Sequence, residues 1–323
     1  MEMKYTVLEN GLDFVLNSIN NLTIANEDTT DEDAKKRLIK YALLHLSSGI
    51  ELVLKARLFQ EHWTYAFADM NTAKKELLLS GDFKSVDSET LLARLENLCN
   101  IKVEQHNIKT LRDLRKRRNR AEHFDFNESI LSVESSINKS ISILIKLLIE
   151  NYNIDNFCDE ESNLFDEIKD SMRKFTKHYD NSKAIAQKIL EQKGLAKNVV
   201  ICPECQESFL HRDVDVKCYF CGYEDTGESA ANNYIFNIMG MDEYSTVKDG
   251  GEYPLYECPE CQNETLVLDS ENERALCFSC DLDCNIKDIG ICSDCCSPFY
   301  SYGYEKDIGI CSNCIQNKLD NDD

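Results

Sequence analysis

Six Cys-x2-Cys pairs, all beyond residue 200, constrain this chain more than any other feature. They are Cys202/Cys205, Cys218/Cys221, Cys258/Cys261, Cys277/Cys280, Cys292/Cys295 and Cys311/Cys314. Taken two by two they form three sets, with twelve, fifteen and fifteen residues between the pairs of a set. Four thiolates from two short turns suit a tetrahedral Zn²⁺. A disulfide framework belongs to an oxidising compartment, and the first residues, MEMKYTVLEN, contain no secretory apolar stretch. The expected location is therefore cytoplasmic, and metal is the expected use of these twelve cysteines. Four thiolates close the coordination sphere and leave no position for water or substrate. Three structural zinc ions are expected, with iron–sulfur binding as the alternative donor chemistry.

Four cysteines fall outside the sets. Cys284 and Cys296 lie beside the second and third sets, where either could exchange with a ligand or be a small packed residue. Cys99 and Cys158 read as ordinary thiols, and His211 is a spare nitrogen donor beside a complete set. A local repeat, KDIGICSDC at 287–295 and KDIGICSNC at 306–314, adds to the impression of small repeated β units. Residues 198–323 are expected to be three tandem four-cysteine zinc ribbons.

Charge argues against nucleic-acid binding by that half. Residues 198–323 hold 7 Lys+Arg against 26 Asp+Glu, so −19 of the chain's total of −22 lies there. Backbone binding requires the opposite sign, and each four-thiolate zinc centre adds negative charge. A protein partner fits this half better.

Residues 1–152 read as an antiparallel helical bundle. Leu38, Tyr41, Ala42, Leu46, Ile50, Val53, Leu54 and Leu58 recur at threes and fours between Ala34 and Trp63. The preceding TTDED offers a capping box from Thr30 to Asp33. Further helices are predicted over Glu89–Cys99, Lys109–Phe124 and Glu128–Tyr152, the last with Ile130, Val133, Ile137, Ile141, Leu144 and Leu148 on one stripe. Residues 153–197 read as a helical linker. It opens with a polar stretch and continues as helices over Leu164–Tyr179, with Phe165, Ile168, Met172, Phe175 and Tyr179 in register, and over Lys183–Gln192. No apolar run reaches membrane-spanning length.

Against the acidic total stands LRDLRKRRNRAEHF, residues 111–124. Its first ten residues hold Arg112, Arg115, Lys116, Arg117, Arg118 and Arg120 against Asp113 alone. On a helix, Leu111, Leu114, Arg118 and Ala121 share one stripe, so Arg118 stands where an apolar side chain is expected. An arginine there requires a carboxylate, a phosphate or a subunit interface. Asn119 and His123 share another face, and Glu122 lies four residues after Arg118. The plain reading is a solvated basic helix with one ion pair.

The segment RNRAEH, together with LLHLSSGIELVLKARLFQEHW at 43–63, resembles the HEPN-domain ribonucleases and their R-x4-6-H signature. The resemblance covers about residues 1–152 and leaves the cysteine-rich half outside. It implies a small helical bundle, a homodimer, and RNA as substrate. In active members two copies of the motif meet and cleave RNA without a catalytic metal. The matched residues are Arg118, Asn119 and His123. Arg118 would stabilise charge on the phosphorane, His123 would move a proton, and Asn119 would orient either group. Glu122 would hold Arg118. Glu51 would share that role or else pair with Lys55. Arg112, Arg115, Lys116, Arg117 and Arg120 would attract the RNA backbone.

The expected function is a metal-independent endoribonuclease leaving 2′,3′-cyclic phosphate ends, a toxin or antiviral-defence effector by resemblance. Its zinc ribbons would serve as a regulatory module for a protein regulator or antitoxin. The alternative is a non-catalytic HEPN adaptor that binds protein or nucleic acid through its ribbons. A zinc-ribbon transcription factor is a third reading, opposed by the charge.

Overall fold

The computed structural model describes residues 4–212, 215–300 and 309–321. The chain divides into two compact units, Met1–Asn181 and Ser182–Asp323.

The first unit is helical. Helix α1 (Val7–Ala25) starts from a capping box in which Thr6 accepts from the Glu9 amide and Glu9 accepts from the Thr6 amide. Helix α2 (Glu32–Glu61) is capped by Asp31, whose carboxylate accepts from Ala34 N at 2.9 Å. The expected cap at Thr30 is displaced by one residue, because the Thr30 hydroxyl donates instead to Ile24 O at 2.6 Å. Short α3 (Lys75–Ser80) and α4 (Ser88–Cys99) precede α5 (Gln105–His123) and α6 (Ile130–Asn151). Leu12, Val15, Ile19 and Leu22 of α1 are fully buried, as are Leu43, Leu46 and Val53 of α2 and Ile137 and Ile141 of α6.

Helices α1 and α2 approach closely because two glycines allow it. A Cβ on Gly49 would stand 2.7 Å from Val15 Cγ2 and 2.9 Å from Gly11 O. One on Gly11 would stand 2.9 Å from Val53. The Tyr152 hydroxyl, just past α6, donates to Val53 O.

The two helices expected after residue 163 are one. Helix α7 runs unbroken for 34 residues, Asp159–Gln192, because DNSK at 180–183 contains neither glycine nor proline. Its predicted stripe of Phe165, Ile168, Met172, Phe175 and Tyr179 is buried.

The second unit is built from small antiparallel sheets. Strands β1 (Val199–Val200), β2 (Leu210–His211), β3 (Val216–Cys218) and β4 (Glu224–Asp225) form one meander. Strands β5 (Leu255–Glu257), β6 (Glu264–Asp269), β7 (Arg274–Cys277) and β8 (Asp283–Asn285) form a second. Between them lie α8 (Gly227–Tyr234), which runs into a π turn, and α9 (Glu243–Lys248). Strands β9 (Ile289–Ile291) and β10 (Pro298–Tyr300) form a hairpin, and α10 (Ser312–Asn321) comes after them.

Against the expectation of three tandem ribbons, the first two cysteine sets lie on the two four-stranded meanders and the third lies on the β9–β10 hairpin and α10. In the third, the second cysteine pair opens a helix instead of forming a second knuckle. Lys306, Asp307 and Ile308 of the second repeat lie outside the described residues.

Candidate functional site

Helix α5 carries the motif residues at its C-terminal end. Only Leu114 on this helix is fully buried. The Leu111–Ala121 stripe therefore faces the core in its first half and opens in its second, where Arg118 is 32% exposed. Arg118 Nη1 lies 2.8 Å from Glu122 Oε2 and donates to Asn119 Oδ1 at 3.0 Å. The same Glu122 oxygen also lies 3.5 Å from His123 Nε2. Arg118, Asn119, Glu122 and His123 thus form one connected polar cluster. His123 is 58% exposed, and the next residue, Phe124, is 75% exposed with its ring edge-on to the imidazole. Arg120 and His123 occupy the last turn, where the helix dipole favours cations.

Glu51 belongs elsewhere. Its carboxylate pairs with Lys55, which also donates to Ser85 Oγ at 2.9 Å. Of the two roles that the sequence leaves open for Glu51, the structure has the pair with Lys55.

The basic residues around the motif are largely tethered. Arg112 forks onto Glu89, tying α5 to α4, and its hydrogen bond holds the Glu89 carboxyl below the usual range. Arg117 and Arg120 converge on Glu128, whose side chain is only 3% exposed. Lys116 lies 3.9 Å from Asp113. Arg115 is exposed and makes no ion pair among the described residues. Sequence spacing did not find Glu89 or Glu128, because neither lies within a helical turn of its arginine.

All twelve predicted metal ligands fall into three groups, each with its four sulfurs within 4.8 Å of one another. Four sulfurs placed tetrahedrally at the zinc–thiolate length of about 2.3 Å stand about 3.8 Å apart. The Sγ–Sγ separations are 3.8 Å for Cys202–Cys221 and for Cys205–Cys218. They are 3.7 Å for Cys258–Cys280, 3.6 Å for Cys261–Cys277 and 3.8 Å for Cys295–Cys311. The donor set fits zinc. Four thiolates held this close repel one another, so as a bare set they conflict. A divalent cation removes the conflict by holding all four as thiolates.

One backbone device builds five of the six turns. The amides of Cys202, Cys218, Cys258, Cys277 and Cys292 donate to the carbonyls of Glu207, Tyr223, Asn263, Leu282 and Ser297, each five residues on. After the second cysteine of four turns stands a residue with positive φ: Gln206, Gly222, Gln262 and Cys296. Cys296 thus fills the left-handed corner of its turn, a conformation uncommon for residues other than glycine. Amides also point at ligand sulfurs, with Glu204 N to Cys202 and Glu260 N to Cys258 at 3.4 Å and Ser279 N to Cys277 at 3.3 Å. His211 is buried on β2 and belongs to none of the three groups.

The groups differ in shelter. All four cysteines of the first are buried, two of the second are half-buried, and in the third only Cys292 is buried while Cys295 is exposed. Sequence reasoning also passed over Arg212, which is fully buried in this acidic unit. The available signal was scarcity, since residues 198–323 hold only two arginines, Arg212 and Arg274. No helix among the described residues is long and apolar enough to cross a membrane. A scan of family models, a search of curated proteins and a search of solved structures each returned no match to this chain.

Proposed function

We propose that the helical unit is a HEPN-like, RNA-cleaving module and that the cysteine-rich unit is its zinc-bound regulatory partner-binding module. The observation that carries the reading is the connected cluster of Arg118, Asn119, Glu122 and His123 at the open end of α5. Exposure there suits a site completed by a second copy of the chain. In this chemistry the ribose 2′-oxygen attacks the adjacent phosphorus and the bond to the 5′-oxygen breaks. One proton leaves the 2′-hydroxyl and another reaches the departing oxygen. Imidazoles from two copies of His123 supply the base and the acid. The Arg118 guanidinium stabilises the phosphorane, oriented until then by Glu122. No metal is required in these steps, and zinc keeps the second unit folded.

A second reading has its own support. Arg112, Arg117, Arg118 and Arg120 are each held by a carboxylate, which lowers the field available to an RNA backbone. That favours a non-catalytic HEPN-like adaptor. Expression of the intact protein and of His123→Ala in the same cells separates the two. Growth arrest and RNA degradation with the intact chain alone support the nuclease. Identical effects of both proteins support the adaptor.

A further inference from the structure

The turn from Cys277 to Asp283 supplies two ligands of the second metal centre, and residues of the first ribbon grip it. Arg212 directly follows β2, where Leu210 pairs with the first-centre ligand Cys218. Its Nη1 donates to Cys277 O at 2.8 Å and to Leu282 O at 3.1 Å, and its Nη2 meets Asp283 Oδ2 at 3.0 Å. The same turn is closed by Cys277 N donating to Leu282 O at 3.0 Å. Arg212 is 0% exposed, and its Nε has no acceptor among the described residues. Asn198, whose carbonyl accepts from Arg212 N at 3.1 Å, donates from its side chain to Asp281. Gly227, at the start of α8, lies so near that a Cβ would stand 2.1 Å from Ser279 Oγ and 3.0 Å from Phe278 O.

A buried guanidinium is tolerated only while its acceptors stay in place. Opening of the Cys277–Asp283 turn would strip Arg212 of all three. Unfolding of the first ribbon would in turn take the clamp from that turn. Metal at the second centre would order the turn, and metal at the first would order β2 and β3. We propose that Arg212 couples the first and second metal centres, so that an ion bound at either raises the affinity of the other. The coupling is reciprocal, as linkage between two binding sites requires. Arg212 is a positioning residue here and touches no metal. The inference rests on the reading of the cysteine groups as zinc centres.

The test is metal content of the full chain. Cys202→Ser/Cys205→Ser removes two ligands of the first centre only. Coupling predicts that bound zinc falls from three ions per chain to one or fewer; two ions remaining would overturn it. Fewer than two ions in the unmodified chain would sink the zinc reading and the coupling with it. Arg212→Met keeps the bulk and removes the donors. Release of zinc to a chromophoric chelator should then accelerate at least tenfold for two of the three ions, and acceleration of one ion or none contradicts the proposal. Where Arg212→Met does not fold, Asp283→Asn removes one acceptor charge at a partly exposed position. It should speed the same two ions together, and unchanged release in that variant also overturns the coupling.

Discussion

Glu128 holds two arginines with one nearly buried carboxylate, and this fixes the end of α5 where the motif stands. Glu128→Gln keeps the shape and removes the charge. The variant is expected to lose about 3 kcal/mol, the scale of breaking a buried ion pair. Urea unfolding followed by helical circular dichroism measures this, and a loss under about 1 kcal/mol would make the pair incidental. Tyr152 gives a pH signature. Burial raises its phenol pKa above the ordinary value, so the folded unit resists an ionisation that the unfolded chain undergoes. Stability from this group is complete below the unfolded value, about 10, and falls as pH rises from there towards the folded value. Tyr152→Phe should cost about 1 kcal/mol at neutral pH, a typical net hydrogen bond, and should flatten the alkaline decline. An unchanged alkaline slope would assign the decline to other groups. At this scale the sequence was legible wherever partners are local. Arg118 with Glu122, and Glu51 with Lys55, are both four apart on one helix. Arg112 with Glu89 and Arg212 with Asp283 bring together residues far apart in the chain, and no helical or strand spacing encodes them.

Helix α2 was readable from its periodicity, but the closeness of α1 and α2 was not, because a glycine within a helix has no face of its own to signal. Gly49→Ala tests that closeness. Alanine gains up to about 1 kcal/mol of helix propensity. Against this, overpacking a close interface typically costs about 1–3 kcal/mol. The contacts at 2.7 Å and 2.9 Å involve Val15 and the Gly11 backbone, which cannot swing aside, so net destabilisation is expected in thermal unfolding. A stabilised variant would show that the helices separate freely. The repeated nonapeptide teaches a related lesson. Gly290–Cys295 forms strand and turn, whereas Cys311–Cys314 leads into α10. The residues after each copy decide the outcome. Cys296-Ser297-Pro298 ends any helix, while Ile315-Gln316-Asn317-Lys318-Leu319 continues one. Two nonapeptides that differ only at Asp294 and Asn313 therefore lead into different structures, and the third cysteine group differs from the other two.

Across the whole molecule, the cysteine spacing located all three four-cysteine groups found among the described residues, because thiolate pairs on tight turns are a local code. Their unequal shelter was not legible, since burial is a property of the packed unit. It orders their release. Full-length protein should carry three zinc ions, and a chelator should remove the first from the exposed third group, while Cys202, Cys205, Cys218 and Cys221 hold theirs longest. Cadmium substitution followed by NMR during chelation resolves the order, and early loss from the first group would contradict it. The helical fold was legible as a bundle, whereas no local spacing encodes the proposed activity of its polar cluster or the second copy of the chain that this proposal calls for. The most direct measurement is the chemistry of RNA ends left by the purified full-length protein. The proposed nuclease leaves 2′,3′-cyclic phosphate and 5′-hydroxyl ends, and cleavage is lost on Arg118→Ala and on His123→Ala with zinc content and helicity unchanged. Products with 3′-hydroxyl ends, or full cleavage by the His123→Ala protein, would contradict it.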